Sequence, residues 1–117
     1  MCELLALSSS RRLRITFSLH ALAARGGPAG RAHDGWGVAF WPGGKAIIEK
    51  SPEPGWNSPR LAELTGRSDS HLVIAHVRKA RHPPVPGFLS THPFAHICCG
   101  REWVFAHNGL VPVVAGC

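Results

Sequence analysis

Cys2 has the most direct route to chemistry in this sequence. Small residues after an initiator methionine generally permit its removal, and loss of Met1 would leave the Cys2 thiol and a free α-amine on one residue. Such an amine titrates near about 7.7–8.0, so part of it is neutral at neutral pH and can take up the thiol proton. A thiol beside a built-in base is an activated nucleophile in the same sense as a threonine with its own N-terminal amine. The plain alternative is a cysteine that packs in a strand. Asn108 and Gly109 form a second candidate: an amide N–H and a backbone N–H aimed at one point would stabilise a tetrahedral oxyanion, and glycine leaves the approach open. Asn-Gly is also an ordinary turn dipeptide. Arg78 follows an apolar run directly, and a guanidinium at a strand end can grip a carboxylate with two parallel hydrogen bonds.

The eight histidines and four cysteines raise the question of a metal. His92 and His96 are four apart, but Pro93 between them spoils the helix that would place both on one face. His76, His82, His107 and the adjacent pair Cys98-Cys99 match no familiar zinc spacing, and no metal and no cofactor are expected. A papain-like use of Cys2 with His107 and Asn108 is a matter of geometry that spacing does not encode.

These residues need elements to hold them. Residues 1–7 read as a short buried strand, and residues 12–25 carry Leu13, Phe17, Leu19 and Leu22 at rough helical spacing. Residues 36–41 and 45–49, joined through Pro42-Gly43-Gly44, read as a hairpin. Ser58 and Pro59 open a helix as N-cap and first helical residue, ending near Gly66. The run at 71–77 is continuously apolar, which predicts a strand covered on both faces. Residues 79–92 read as a proline-braced loop and residues 102–107 as a last strand.

Composition bounds the rest. A chain of 117 residues with 44% hydrophobic and 17% charged residues is globular and holds one domain. Thirteen glycines and ten prolines predict a loop-rich layout. The net charge of +6 favours encounter with anions without specifying a partner. No apolar run reaches the length of a membrane span or a signal h-region, and the cysteine spacing frames no disulfide set, so a reducing cytoplasm is expected. Residues 1–33 are arginine- and serine-rich with Glu3 as the one acid, a composition shared with organellar transit peptides.

The order of the motifs carries more than any single one. MCELLALSS at 1–9, HDGWGVAF at 33–40, AHVRKA at 75–80, THPF at 91–94 and GREWVFAHNG at 100–109 together resemble a class II glutamine amidotransferase, in particular the single-domain proteins that open with Met-Cys. Because the resemblance starts at residue 1, it argues against a transit peptide. It implies an α+β fold, the αββα sandwich of antiparallel sheets of the N-terminal-nucleophile hydrolases, present here as an N-terminal portion of a longer domain. It implies that Cys2 attacks the γ-carboxamide of glutamine with its own amine as base, that Arg78 binds the substrate α-carboxylate, and that Asn108 and Gly109 form the oxyanion hole. The motif at 33–37 is expected to be structural, and His92 to shape the pocket. Three departures stand out: Leu110 follows the Asn-Gly turn at once, no acid for the substrate amine occurs after Glu102, and the family's chains are longer. Exposed apolar edges would then favour self-association. The competing expectation is a catalytically inactive basic fragment that binds a protein or nucleic acid. A small-molecule substrate, glutamine or another γ-glutamyl amide, is the leading partner; no membrane is expected, and nucleic acid only under the second expectation.

Overall fold

The computed structural model describes residues 2–27, 32–80 and 87–109. The order is β1 (Glu3–Leu13), α1 (Thr16–Ala24), β2 (Trp36–Phe40), β3 (Ile47–Ser51), α2 (Pro59–Thr65), β4 (Ser70–Val77), β5 (Phe94–Cys98) and β6 (Arg101–Phe105). Four strands form one antiparallel sheet in the order β1-β4-β2-β3, and β5 pairs with β6 in a separate hairpin. The fold is therefore α+β with antiparallel sheets, as the sequence predicts.

The sheet divides its residues by alternation. One face of β4 and β2 carries Val73, Ala75, Val77, Trp36, Val38 and Phe40, which pack with Leu19 of α1 and with Leu61 and Leu64 of α2 into the core. Leu5 and Leu7 of β1 close its edge. Helix α2 starts where Ser58 predicts: its Oγ accepts from Leu61 N at 3.3 Å, with Pro59 in the first turn and Gly66 at the end. Helix α1 starts at Thr16, four residues later than the spacing suggests, because Arg11, Arg12 and Leu13 belong to β1. β1 is also longer than the expected residues 1–7 and is not buried: alternate residues from Leu4 to Ser8 are exposed. A register shift between Ser8 and Leu13 bends it past β4. β4 is covered on both faces only toward its C-terminal end, since His71 and Leu72 are exposed.

The opposite face is where the segment leading into β5 docks. His76 of β4 is fully buried there, its ring 4.6 Å from that of His92, which in turn lies 4.7 Å from His107 and 4.5 Å from Phe94. Lys50 of β3 donates to the carbonyls of Thr91 at 2.8 Å and Pro93 at 3.3 Å, and its Nζ stands 4.8 Å from the Phe88 and Phe94 rings. Ala46 N donates to Glu102 Oε1 at 2.8 Å. Gly37 makes this approach possible. A Cβ there would fall on the His92 carbonyl oxygen and within 2.8 Å of Pro93 Cδ, both parts of the segment that bears the ring stack.

Burial pushes His92 down to about 4, with positive charge at His76, His107, Lys50 and Arg78 adding to the shift. Burial also lowers His76, opposed by the His107 backbone and the Asn108 side chain and assisted by His107 and Arg78. Burial thus favours the neutral imidazole at both His76 and His92.

Two outcomes follow from this packing. Gly37→Ala forces the 92–93 segment off the sheet and costs about 1–3 kcal/mol, the scale of overpacking, measured as a lower urea midpoint. The unfolded chain takes a proton on His92 near 6.5 and the folded chain only near 4, so stability is complete above 6.5 and falls as the pH drops toward 4. Urea midpoints across that window decline in the wild type and decline less in His92→Phe, where His76 alone still contributes.

Candidate active site

The register Glu3↔Val77, continued by one residue, sets Cys2 opposite Arg78. Alternation then puts both on the face that carries His76. The thiol is half-buried and held by backbone: Lys79 N donates to Cys2 Sγ at 3.2 Å, and the thiol in turn reaches the Lys79 carbonyl at 3.5 Å. Cys2 therefore sits where β4 ends.

Arg78 is 9% exposed, so its guanidinium works from a fixed position at the end of that strand. The motif at 33–37 fixes it. Arg78 N donates to the Gly35 carbonyl at 2.8 Å, and Asp34 N donates to the Arg78 carbonyl at 2.9 Å. Asp34 Oδ2 accepts from Ala80 N at 2.7 Å, while Arg78 Nη1 donates to the Asp34 carbonyl at 3.3 Å. Asp34 thus clamps the chain on both sides of Lys79, the residue whose backbone holds the Cys2 sulfur. His33 is exposed and its Nδ1 lies 3.2 Å from the Gly26 carbonyl, which ties the motif back to the end of α1.

Asn108 and Gly109 follow β6 and are both exposed. Gly109 has φ +105°, in the left-handed region, and among the described residues nothing lies within 4 Å of where a Cβ would stand. The Asn108 side chain and the His107 backbone face the His76 ring, although neither ring nitrogen of His76 closes a hydrogen bond. His76 stands two residues before Arg78 on β4. The structure accordingly brings Cys2 to the backbone of Lys79, the residue after Arg78, and Asn108 to the same strand through His76. His82, the Met1 whose removal would free the Cys2 amine, and residues 110–117 lie outside the described residues.

The sequence marks Asp34 only as part of a structural motif, His76 only through the metal question, and His107 through that question and a papain-like arrangement with Cys2 and Asn108. The signals were weak: an acid before Gly-Trp-Gly, and histidines whose neighbours in space are 16 and 15 positions apart in the chain, counted from His76 to His92 and from His92 to His107. Among the described residues no group of three or more His, Cys, Asp or Glu is placed to hold a metal ion. The best-formed cleft, about 330 Å³, lies elsewhere, between α1, Trp56 and α2, and none of Cys2, Arg78, Asn108 or Gly109 lines it. It is mostly apolar, and its His20 is engaged with Thr65 Oγ1 at 3.2 Å, so the cleft is not an alternative centre for this chemistry.

The model of the family "Glutamine amidotransferases class-II" matches residues 1–116. The chain is 41% identical over 111 residues to "Putative glutamine amidotransferase YafJ" of Escherichia coli, covering 93% of this chain and 43% of that protein. It is 33% identical over 78 residues to the "Gamma-glutamyl-hercynylcysteine sulfoxide hydrolase" of Mycobacterium tuberculosis, covering 67% of this chain and 32% of that one. The crystal structure of a predicted glutamine amidotransferase from Pseudomonas aeruginosa superposes with a TM-score of 0.56 at 29% identity, over 95% of this chain and 44% of its own. The chain thus spans less than half the length of these relatives. By its five ordered motifs, its antiparallel α+β fold and the family match over nearly its whole length, this chain belongs to the class II glutamine amidotransferases.

Proposed function

We propose that Cys2 is the nucleophile of a γ-carboxamide hydrolysis, freed by loss of Met1. What carries this reading is the placement of the Cys2 thiol on the Lys79 backbone, next to Arg78 and at the end of the central strand. The α-amine takes the thiol proton, and the sulfur attacks the amide carbon of glutamine to form a C–S bond. Collapse of the tetrahedral adduct breaks the C–N bond, and the same proton passes to nitrogen, which leaves as ammonia. Water then cleaves the γ-glutamyl thioester to glutamate and restores the thiol.

Each further residue has one task in this scheme. Arg78 pairs with the substrate α-carboxylate, a planar acceptor that suits its fork of donors. The Asn108 side chain and Gly109 N–H stabilise the oxyanion, a contribution worth about 2.7–4 kcal/mol per donor where it has been measured by mutation. Asp34 holds no substrate; it fixes the backbone between Arg78 and Ala80. The substrate class is glutamine or another γ-glutamyl amide, since one relative is named for hydrolysis of a γ-glutamyl compound. The activity belongs in a reducing cytoplasm, where Cys2, Cys98 and Cys99 remain the free thiols they are in this structure.

Two measurements test the scheme. Wild-type chain, with loss of Met1 verified by mass, releases ammonia from glutamine, and Cys2→Ala lowers the rate by at least about a thousandfold, as expected for loss of a nucleophile. Absence of ammonia from the processed wild type, or activity that survives Cys2→Ala, overturns it. Asp34→Ala removes the acceptor of Ala80 N and lowers stability by about 1–2 kcal/mol. It raises KM for glutamine about tenfold with a smaller change in kcat, the pattern of lost ground-state binding. Asp34→Asn keeps an acceptor oxygen and restores most of both in steady-state kinetics and urea titration.

A further inference from the structure

The tip of the β5–β6 hairpin is built from Cys98, Cys99, Gly100 and Arg101, with Cys98 paired to Arg101 across the turn. Cys99 has φ +55° and Gly100 φ +72°, the two left-handed residues of a tight two-residue hairpin. Asn, Asp or Gly normally fills the first of these positions, because a residue with a Cβ is strained there. Cysteine has no local hydrogen bond to offer in exchange. The strain instead places two thiols side by side: Cys98 Sγ and Cys99 Sγ are 3.3 Å apart, and both residues are exposed. His96, Arg101 and Trp103 line the shallow open groove around them.

We propose that Cys98 and Cys99 form a vicinal dithiol site for a trivalent, thiophilic metalloid, arsenic(III) in inorganic or organic form. The choice follows from what two sulfurs in this arrangement can bind. Their joining as an ordinary disulfide is opposed by geometry, since neighbouring Cα atoms are about 3.8 Å apart and disulfides span roughly 4.4–6.8 Å. A bridging atom enlarges the ring and removes that conflict. Zinc asks for four donors, and no group of three His, Cys, Asp or Glu is placed for a metal among the described residues. A linear two-coordinate soft cation needs its sulfurs on opposite sides. A pyramidal trivalent centre bonds two sulfurs on one side at nearly a right angle, which fits thiols in contact. The exposed Trp103 ring supplies an apolar face for an aryl substituent.

With phenylarsine oxide the step is a condensation. Two As–S bonds form, two S–H bonds and the arsenic–oxygen bond break, and both protons leave with the oxygen as one water molecule. Arsenic stays trivalent, so no oxidant or reductant takes part.

The test uses the full reduced chain and phenylarsine oxide, read by intact mass in excess glutathione. One phenylarsenic adduct per chain is expected, stable to glutathione and removed by a dithiol. Cys98→Ser and Cys99→Ser each weaken binding by about a hundredfold or more, the gain an intramolecular second bond supplies. Cys99→Gly, which suits the turn better and keeps the hairpin, loses the adduct as well. A Cys2→Ser/Cys117→Ser double variant keeps it. A glutathione-stable adduct on any of the three hairpin variants, its loss from the double variant, or none on wild type with its thiols shown to be reduced, overturns the proposal.

Discussion

The candidate site depends on one pairing, that of β1 with the C-terminal end of β4. A chain terminus is ordinarily the least constrained part of a domain. Here the residues from Glu3 to Ser8 each face a β4 partner, from Val77 back to Leu72, and β2 holds the other side of the same strand with Trp36 opposite Val77. The central strand is thus fixed from both edges, and the N-terminal segment inherits its position. The Lys79 N–H that meets the Cys2 sulfur extends this ladder by one step, with a thiol in place of a carbonyl as acceptor. Asp34 and Gly35 complete the arrangement from the β2 side, so that two segments distant in sequence converge on Arg78 and Lys79.

A second constraint is steric and acts on the other face. The segment bearing His92 lies against β2 only because Gly37 offers no side chain. The rings of His76, His92 and His107 can then stack because burial keeps His76 and His92 neutral. Protonated, these rings would repel one another and face Lys50 and Arg78 as well. Packing and protonation state are therefore one property of this layer, and the Asn108 turn, which faces His76, is attached to it.

What the sequence made legible is what is local. Ser58-Pro59 announces α2, the run before Arg78 announces β4, and the Pro-Gly-Gly turn announces the β2–β3 hairpin, because each signal lies within the element it specifies. The second half of β1 was not legible: Ser8-Ser9-Ser10-Arg11-Arg12 has little strand preference and is extended through its neighbour rather than its side chains. β5 escaped for a related reason. Four of its five residues are exposed, so no alternation marks Phe94–Cys98, and its partner β6 holds it in place. At the site, Cys2, Arg78, Asn108 and Gly109 stood out as residue types in ordered motifs. The role of Asp34 did not, because its bond to Ala80 spans 46 positions.

The net charge of +6 specifies no partner by itself. Lys50 and Arg78 approach the same histidine layer, and both contribute positive potential to His92. Lys50 is in turn occupied by the Thr91 and Pro93 carbonyls and two aromatic faces, and burial lowers its pKa. Arg78 directly precedes Lys79, whose backbone holds the Cys2 sulfur. His76 and His92, kept neutral by burial, add aromatic bulk to this layer without a further charge beside these two cations. The same burial that shifts His92 toward 4 therefore keeps Lys50 and Arg78 from facing a further positive charge there.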